Sequence, residues 1–283
     1  MFKDDVLDGQ KILITGGGSG LGRAMAERFG ALGASVGVCG RRAEPLEETV
    51  AAIREAGGTA AFAQTDVRDP QAVRAAVDSI EDELGEITGL VNNAAGNFLA
   101  FTEDLSPNAF DAVVKIVLYG TFHTTQELGR RWIERGQGGH HVLSIVTTYA
   151  WTGSPFVVPS ACAKAGVFAM TRSLAVEWAA YGIRFNSIAP GPFPTEGAFS
   201  RLMPEGYMEQ AKKHNPLGRF GQPSELGDLA TYLFAPGSSY INGECVTIDG
   251  GEWLKIGQEF AAFTNAPREQ LKQQLAAMRP KKG

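Results

Sequence analysis

Cysteine is nearly missing from this chain. Cys39, Cys162 and Cys245 are the three in 283 residues, odd in number and far apart. That speaks against a disulfide framework and fits a reducing compartment. They also lack the paired spacing of a zinc site. His123, His140, His141 and His214 form no metal or nucleophile pattern, so no metal is expected. Long apolar runs are absent: none approaches the ~20 residues a membrane-spanning helix needs. Positive charge is not in excess either. The formal net charge of −5 removes the electrostatic case for nucleic acid. The opening MFKDDVLDGQ is polar and acidic, unlike a signal peptide. No linker, low-complexity stretch or short repeat divides the chain. With 44% hydrophobic and 20% charged residues, the expectation is one soluble cytoplasmic domain over 1–283 with a sizeable core.

What is present is a strand–helix rhythm. Ile12 to Ile14 is a short apolar run that breaks into glycines. Leu21, Met25, Phe29 and Leu32 then recur with helical spacing. ASVGVCG, AAFAQTDV, ITGLVNNAAG, HHVLSIVTT, GIRFNSIAPG and GECVTIDGG read as further strands. PLEETVAAIREAG and PQAVRAAVDSIEDELG read as helices between them. Asn108 to Arg135 reads as one long helix, and Ala161 to Ala180 as another. Strands alternating with helices predict an α/β fold: a doubly wound parallel sheet covered on both faces, beginning with a βαβαβ mononucleotide-binding half. Residues 192–216 interrupt the rhythm and are expected to form a substrate loop. The tail, 252–283, carries one amphipathic helix and a basic end.

Thr15 to Gly22, TGGGSGLG, lies between the first strand and its helix. A dinucleotide pyrophosphate needs such a turn, where backbone approaches closely and helix N–H groups face the anion. Gly16, Gly20 and Gly22 carry that demand, with Ser19 and Leu21 between them. An NAD site usually ends its second strand on an acid that holds the ribose hydroxyls. Here the strand ends Cys39-Gly40-Arg41-Arg42. Two guanidiniums suit a 2′-phosphate, which favours NADP(H). Asp66, followed by Val67, is placed for the adenine. Asn93 and Ala94, at the end of the fourth strand, are placed to wall the nicotinamide side.

TGGGSGLG, TDV (65–67), NNAAG (92–96), Lys164 and PGP (190–192) occur in the order and spacing of the short-chain dehydrogenase/reductase family, which the chain resembles over about residues 8 to 252. The resemblance implies a single Rossmann domain with a seven-stranded parallel sheet, and commonly a homotetramer. It also adds Pro190, Gly191, Pro192 and Phe193 to the cofactor set, and Lys164 as the holder of the nicotinamide ribose. The chain departs from the usual pattern at the active site. The family's tyrosine four residues before the lysine is replaced by Ser160, its serine by Thr147 and its asparagine by Val117. One branch is similar to this chain throughout: the NADPH-dependent 2,4-dienoyl-CoA reductases. NNAAGNF (92–98), LSPNAF (105–110), TTYAWTGSPFVVPSACAKAGV (147–167) and PGPFPTEGAFSRL (190–202) carry that likeness. It implies a catalytic set of Tyr149, Ser160, Lys164 and Asn97. It further implies that Arg68 and Arg201 contact CoA, and that Phe98 and Ser106 line the substrate beside Tyr149.

The chemistry allows the move. Carbonyl reduction needs an acid brought toward neutrality, as a tyrosine beside an ammonium can be; a serine hydroxyl is too weak. Reduction of a conjugated thioester instead develops charge on the thioester oxygen, and donors aimed at that oxygen suffice. Tyr149 and Asn97 can supply them, with Ser160 bridging, and the resemblance implies a 3-enoyl-CoA product in unsaturated fatty acid β-oxidation. Each residue also has a plain structural reading. Ser160 stands near a helix start it can cap, Asn97 in a turn, and lone arginines are commonly solvated. Three functions stay open: a 2,4-dienoyl-CoA reductase, a carbonyl or alcohol oxidoreductase with a displaced tyrosine, and a non-catalytic NADP(H) sensor.

Overall fold

The apolar runs pair as buried strands do in a parallel sheet. The computed structural model describes residues 2–195, 207–255, 258 and 260–278. Among these, seven strands form one sheet in the order β3-β2-β1-β4-β5-β6-β7. They are β1 (Lys11–Thr15), β2 (Ser35–Gly40), β3 (Thr59–Gln64), β4 (Gly89–Asn92), β5 (His140–Ile145), β6 (Ile183–Pro190) and β7 (Cys245–Ile248). Every pairing is parallel. The sheet is therefore the expected doubly wound one, and its chain order reverses between β1 and β4. In such sheets the crevice beyond the strand ends at that reversal is where ligands sit.

Alternation along each strand feeds a core on each face. Ile12 and Ile14 face one way, against Met25 and Phe29 of α1 (Gly20–Gly30), Leu46, Val50 and Ile53 of α2 (Ala43–Glu55), and the helix Pro223–Phe234. Leu13 faces the other way, with Val77 and Ile80 of α3 (Pro70–Leu84) and Leu128 and Trp132 of the helix Gly120–Arg135. The ends of α3 are written locally. Asp69 accepts from Gln71 N at 2.8 Å, Pro70 opens the helix, and Gly85 closes it at φ +80°, an arrangement whose cap alone is worth ~1 kcal/mol.

The expected single helix from Asn108 to Arg135 is divided. α4 (Pro107–Val114) passes into a π-helical stretch, Lys115–Tyr119, before α5 (Gly120–Arg135). The π turn admits an extra residue at the point where α5 presses on its neighbours. A β-carbon on Gly120 would lie 2.6 Å from Val67 Cγ2, and Leu118 fills the space beside Gly166. An unbroken apolar periodicity carries no signal for this insertion. The helix expected from Ala161 starts earlier: α6 (Tyr149–Thr152) is one turn, and α7 spans Val158–Glu177. The further α-helices among the described residues are α8 (Tyr207–His214), α9 (Pro223–Phe234), α10 (Glu252–Lys255) and α11 (Arg268–Ala277), the last being the expected helix of the tail.

α5 is braced on α3 by ion pairs. Arg131 and Arg135 both reach Glu81 at 2.8 Å, and Ile87 N donates to it at 3.0 Å. Burial by itself raises the Glu81 pKa. Hydrogen bonds from Arg135, Ile87 N and Arg131 outweigh burial and hold it at about 2. Because the folded value lies below the unfolded ~4.3, this stabilisation is complete above ~pH 5 and is lost as pH falls toward the folded value. Glu81→Gln is expected to destabilise the protein by ~2 kcal/mol at neutral pH, with much of that difference gone at ~pH 2. Denaturant unfolding at the two pH values measures it; a pH-independent deficit would assign the loss to packing.

Candidate active site

Thr15 closes β1, and its side chain stitches the two strands at the reversal. Thr15 Oγ1 accepts from Asn93 N at 3.0 Å and Ala94 N at 2.9 Å. Asn93 Nδ2 donates back to Thr15 O at 3.0 Å and Gly16 O at 3.3 Å. Asn93 and Ala94, expected to wall the nicotinamide side, thus flank the glycine turn. Their neighbour Asn92 serves the fold: its amide donates to Thr125 at 2.9 Å and accepts from Thr124 at 2.6 Å, pinning α5 to β4. Thr15 was not singled out from the sequence, although a hydroxyl ending an apolar strand is the available signal.

The glycine turn fits a dinucleotide. Gly16 has φ +68°, and a β-carbon on Gly22 would lie 2.3 Å from Gly16 O and 2.5 Å from Asn93 Nδ2. The turn and the helix start therefore pack backbone against backbone, leaving the N–H groups of the first turn of α1 toward the crevice. Ser19 is exposed and in extended conformation, with no capping hydrogen bond, while Leu21 packs on the core below. Thr195 comes in from the far side, with Oγ1 3.4 Å from where a Gly20 β-carbon would lie. It too was missed, since it follows the PGP motif at no fixed structural spacing.

At the end of β2, Arg41 and Arg42 are both exposed, and no acid takes the place of either. Asp66 is paired with Arg68: Nε donates to both carboxylate oxygens at 2.9 Å. Hydrogen bonding from Arg68, with a smaller contribution from the Arg41 charge, keeps the Asp66 carboxyl below its ordinary range despite burial. Arg68, expected at CoA, is thus engaged by Asp66, the residue expected at the adenine. Val67 is buried, and its carbonyl meets His123 Nδ1 at 3.0 Å. Pro190, Gly191 and Pro192 leave β6 against β7, with Gly191 N donating to Ile248 O at 2.9 Å. Phe193 is buried against Gly221. Arg201 lies outside the described residues.

The relocated tyrosine reaches the vacated place. Tyr149 opens the single turn α6 after β5, and its hydroxyl is 3.0 Å from Ser160 Oγ. Ser160 is buried in the first turn of α7 rather than capping it, since that helix starts at Val158. One turn further, Lys164 is buried and its ammonium donates to Ile145 O at the end of β5. Burial pushes the Lys164 pKa down to about 8. Burial also raises the Tyr149 pKa, against smaller opposing hydrogen bonds from Ser160 and Thr147. Tyr149 is therefore a neutral phenol at physiological pH, suited to donate a hydrogen bond. Val117, at the family's asparagine position, is buried in the π stretch and offers nothing polar.

Asn97 stands on the loop after β4, where Oδ1 accepts from Phe98 N at 2.9 Å. That loop is tied to the one after α6: Ala100 N donates to Phe156 O at 3.0 Å, and the Phe101 and Phe156 rings meet edge-on at 5.2 Å. Phe156 has φ +65°, the one non-glycine residue at positive φ among those described. Such strain persists only where surroundings enforce it. Phe98, Leu99, Phe101 and Phe156 are all exposed on these two loops. Ser106 caps α4 by accepting from Ala109 N at 3.1 Å.

A family model described as enoyl-(acyl carrier protein) reductase matches residues 16–252. A short chain dehydrogenase from Bacillus anthracis, known from its crystal structure, superposes with a TM-score of 0.79 at 44% identity, over 86% of this chain and 96% of that one. The chain belongs to the short-chain dehydrogenase/reductase family, whose members use a nicotinamide dinucleotide, and it is an oxidoreductase. Within the family it falls in the 2,4-dienoyl-CoA reductase branch. A probable 2,4-dienoyl-CoA reductase of Caenorhabditis elegans, named as (3E)-enoyl-CoA-producing, is 45% identical over 89% of this chain and 83% of its own length. A probable 2,4-dienoyl-CoA reductase of Bacillus subtilis, named as (2E)-enoyl-CoA-producing, is 45% identical over 88% and 98%.

Gly22→Ala is expected to displace the turn and weaken dinucleotide binding at least about tenfold, or ~1.4 kcal/mol, in a protein that still folds. Titration calorimetry reads the affinity; an unchanged Kd would place the dinucleotide elsewhere.

Proposed function

We propose that this protein reduces 2,4-dienoyl-CoA with NADPH, as an auxiliary step in the β-oxidation of unsaturated fatty acids. The observation that carries the reading is the 3.0 Å approach of the Tyr149 hydroxyl to Ser160. It brings a neutral phenol to the place where the family's acid normally stands, one turn from Lys164. When bound, the reduced nicotinamide supplies a hydride. Addition at the far carbon of the diene, C5, moves an electron pair through the conjugated system onto the thioester oxygen. The Tyr149 O–H and the Asn97 amide donate to that oxygen. Lys164 holds the ribose, and Ser160 keeps the phenol in place. A donor of this kind is typically worth ~10²–10³ in rate. A proton taken from solvent at C2 of the resulting dienolate gives the 3-enoyl product; one taken at C4 gives the 2-enoyl product. We read this site as giving the 3-enoyl product. The names of the two relatives differ on this point.

The substrate reading is supported by the exposed Phe98, Leu99, Phe101 and Phe156. They offer an apolar surface for an acyl tail beside the reacting end. NADPH is supported by Arg41 and Arg42, which can pair with a 2′-phosphate where a carboxylate would repel it. Arg68, and Arg201 in the substrate loop, complete the proposal as contacts for CoA phosphates. The reading extends to a homotetramer working in the cytoplasm, in keeping with three free cysteines.

The test is NADPH consumption with a 2,4-dienoyl-CoA against a 3-ketoacyl-CoA, with the product's double bond located by NMR. Preference for the ketone would replace this reading with a carbonyl reductase; no turnover of enoyl or carbonyl substrates would leave a sensor. Tyr149→Phe is expected to lower kcat ~10²-fold with little change in NADPH affinity, and unchanged turnover would remove Tyr149 from the mechanism. Replacing Arg41 and Arg42 together by alanine is expected to cost at least about tenfold in NADPH affinity and little in NADH affinity. Equal losses for both cofactors would speak against a 2′-phosphate site.

A further inference from the structure

The single turn that carries Tyr149 is held from an unexpected direction. Asp249, just after β7, shapes the segment that follows it. Its Oδ1 accepts from Gly251 N and its Oδ2 from Trp253 N, both at 2.8 Å. Asn215, buried just after α8, donates to Asp249 O at 2.7 Å and to Glu252 Oε2 at 3.3 Å. The return of the substrate loop and the start of the tail thus share one anchor, and Trp253 projects from it. The Trp253 indole meets Trp151 edge-on, with centroids 5.6 Å apart at 82°. Trp151 also leans on Phe168 at 5.6 Å and 49°. Phe168 lies one turn beyond Lys164 on α7 and carries the Arg172 guanidinium 4.2 Å from its ring centroid.

Trp151 belongs to α6, two residues from Tyr149. Four residues make one turn, far below the length at which a helix stands unaided. Thr148 gives α6 no side-chain cap. The Trp151 Nε1–H is buried and has no hydrogen-bond partner among the described residues. Among the described residues its indole is therefore placed by ring packing and not by a polar contact. Contacts of this geometry are favourable and directional. Lose the Trp253 face, and α6 can roll on α7.

We propose that Trp253 is a positioning residue for the reduction: packed edge-on against Trp151, it fixes the turn that aims the Tyr149 hydroxyl. The proposal rests on Tyr149 being the donor to the thioester oxygen. It gives the segment after β7 a part in the chemistry, and it links the substrate loop's return, through Asn215 and Asp249, to the donor.

The test compares Trp253→Ala and Trp253→Phe with Leu254→Ala, a control on an exposed side chain of the same turn. Trp253→Ala is expected to lower kcat with a 2,4-dienoyl-CoA ~10-fold, as a small misplacement of a reacting group does. Its KM for NADPH should stay within about twofold, and Trp253→Phe should recover most of the rate. A second readout needs no turnover: an isotopic label at the tyrosine Cζ, with the Tyr149 resonance assigned by its loss in Tyr149→Phe. That resonance should shift in ligand-free Trp253→Ala and stay put in Leu254→Ala. If Trp253→Ala does not fold, Trp253→Leu reads the same two quantities. An unmoved Tyr149 resonance overturns the proposal, as does an unchanged kcat. A shifted resonance in a protein that fails to reduce dienoyl-CoA would support the coupling and sink the substrate reading alone.

Discussion

Two adjacent strand ends part company at Thr15 and Asn92, and the polar stitching between them supports the rest of the site. The Thr15 hydroxyl takes the N–H groups of Asn93 and Ala94, while Asn93 returns its amide to the carbonyls of Thr15 and Gly16. A parallel sheet leaves its chain ends unsatisfied on one edge, so these backbone groups must find partners. Here they find one another. The result is a hydrogen-bonded floor between the glycine turn and the loop that carries Asn97.

On that floor the electrostatics are set by burial. Lys164 loses water and its pKa falls to about 8, while burial raises that of Tyr149. A tyrosine serving as acid in carbonyl reduction wants its pKa lowered toward neutrality. This one is held as a phenol, which suits hydrogen-bond donation to a developing oxyanion. The two environments set a buried cation one helical turn from a neutral hydrogen-bond donor.

Much of this was legible in the chain. The glycine turn, the parallel sheet and the reversal follow from apolar runs, their alternation with helices, and glycines between strand and helix. Ser160 in the tyrosine's place was legible as a departure. The π stretch at Lys115–Tyr119 was not, because VVKIVLYG keeps a helical apolar pattern, while the extra residue sits where Leu118 packs on Gly166 of α7 and Gly120 packs on Val67. Thr15 and Thr195 were not, because their importance lies in partners distant along the chain. Ser160 also differed from its plain reading: the early start of α7 at Val158 puts its hydroxyl inside the helix and toward Tyr149.

The sequence by itself determined the class of cofactor turn, the missing tyrosine and the two arginines after β2, since each depends on residue types at local spacing. Only the tertiary structure decided that Tyr149 meets Ser160, that the Asn97 loop is tied to the strained Phe156, and that Trp253 packs on the turn of Tyr149. Those distances depend on how α6 folds back over α7 and how the chain after β7 closes on it. Spacing along the chain constrains neither, because contacts between remote segments are fixed only when the whole core packs.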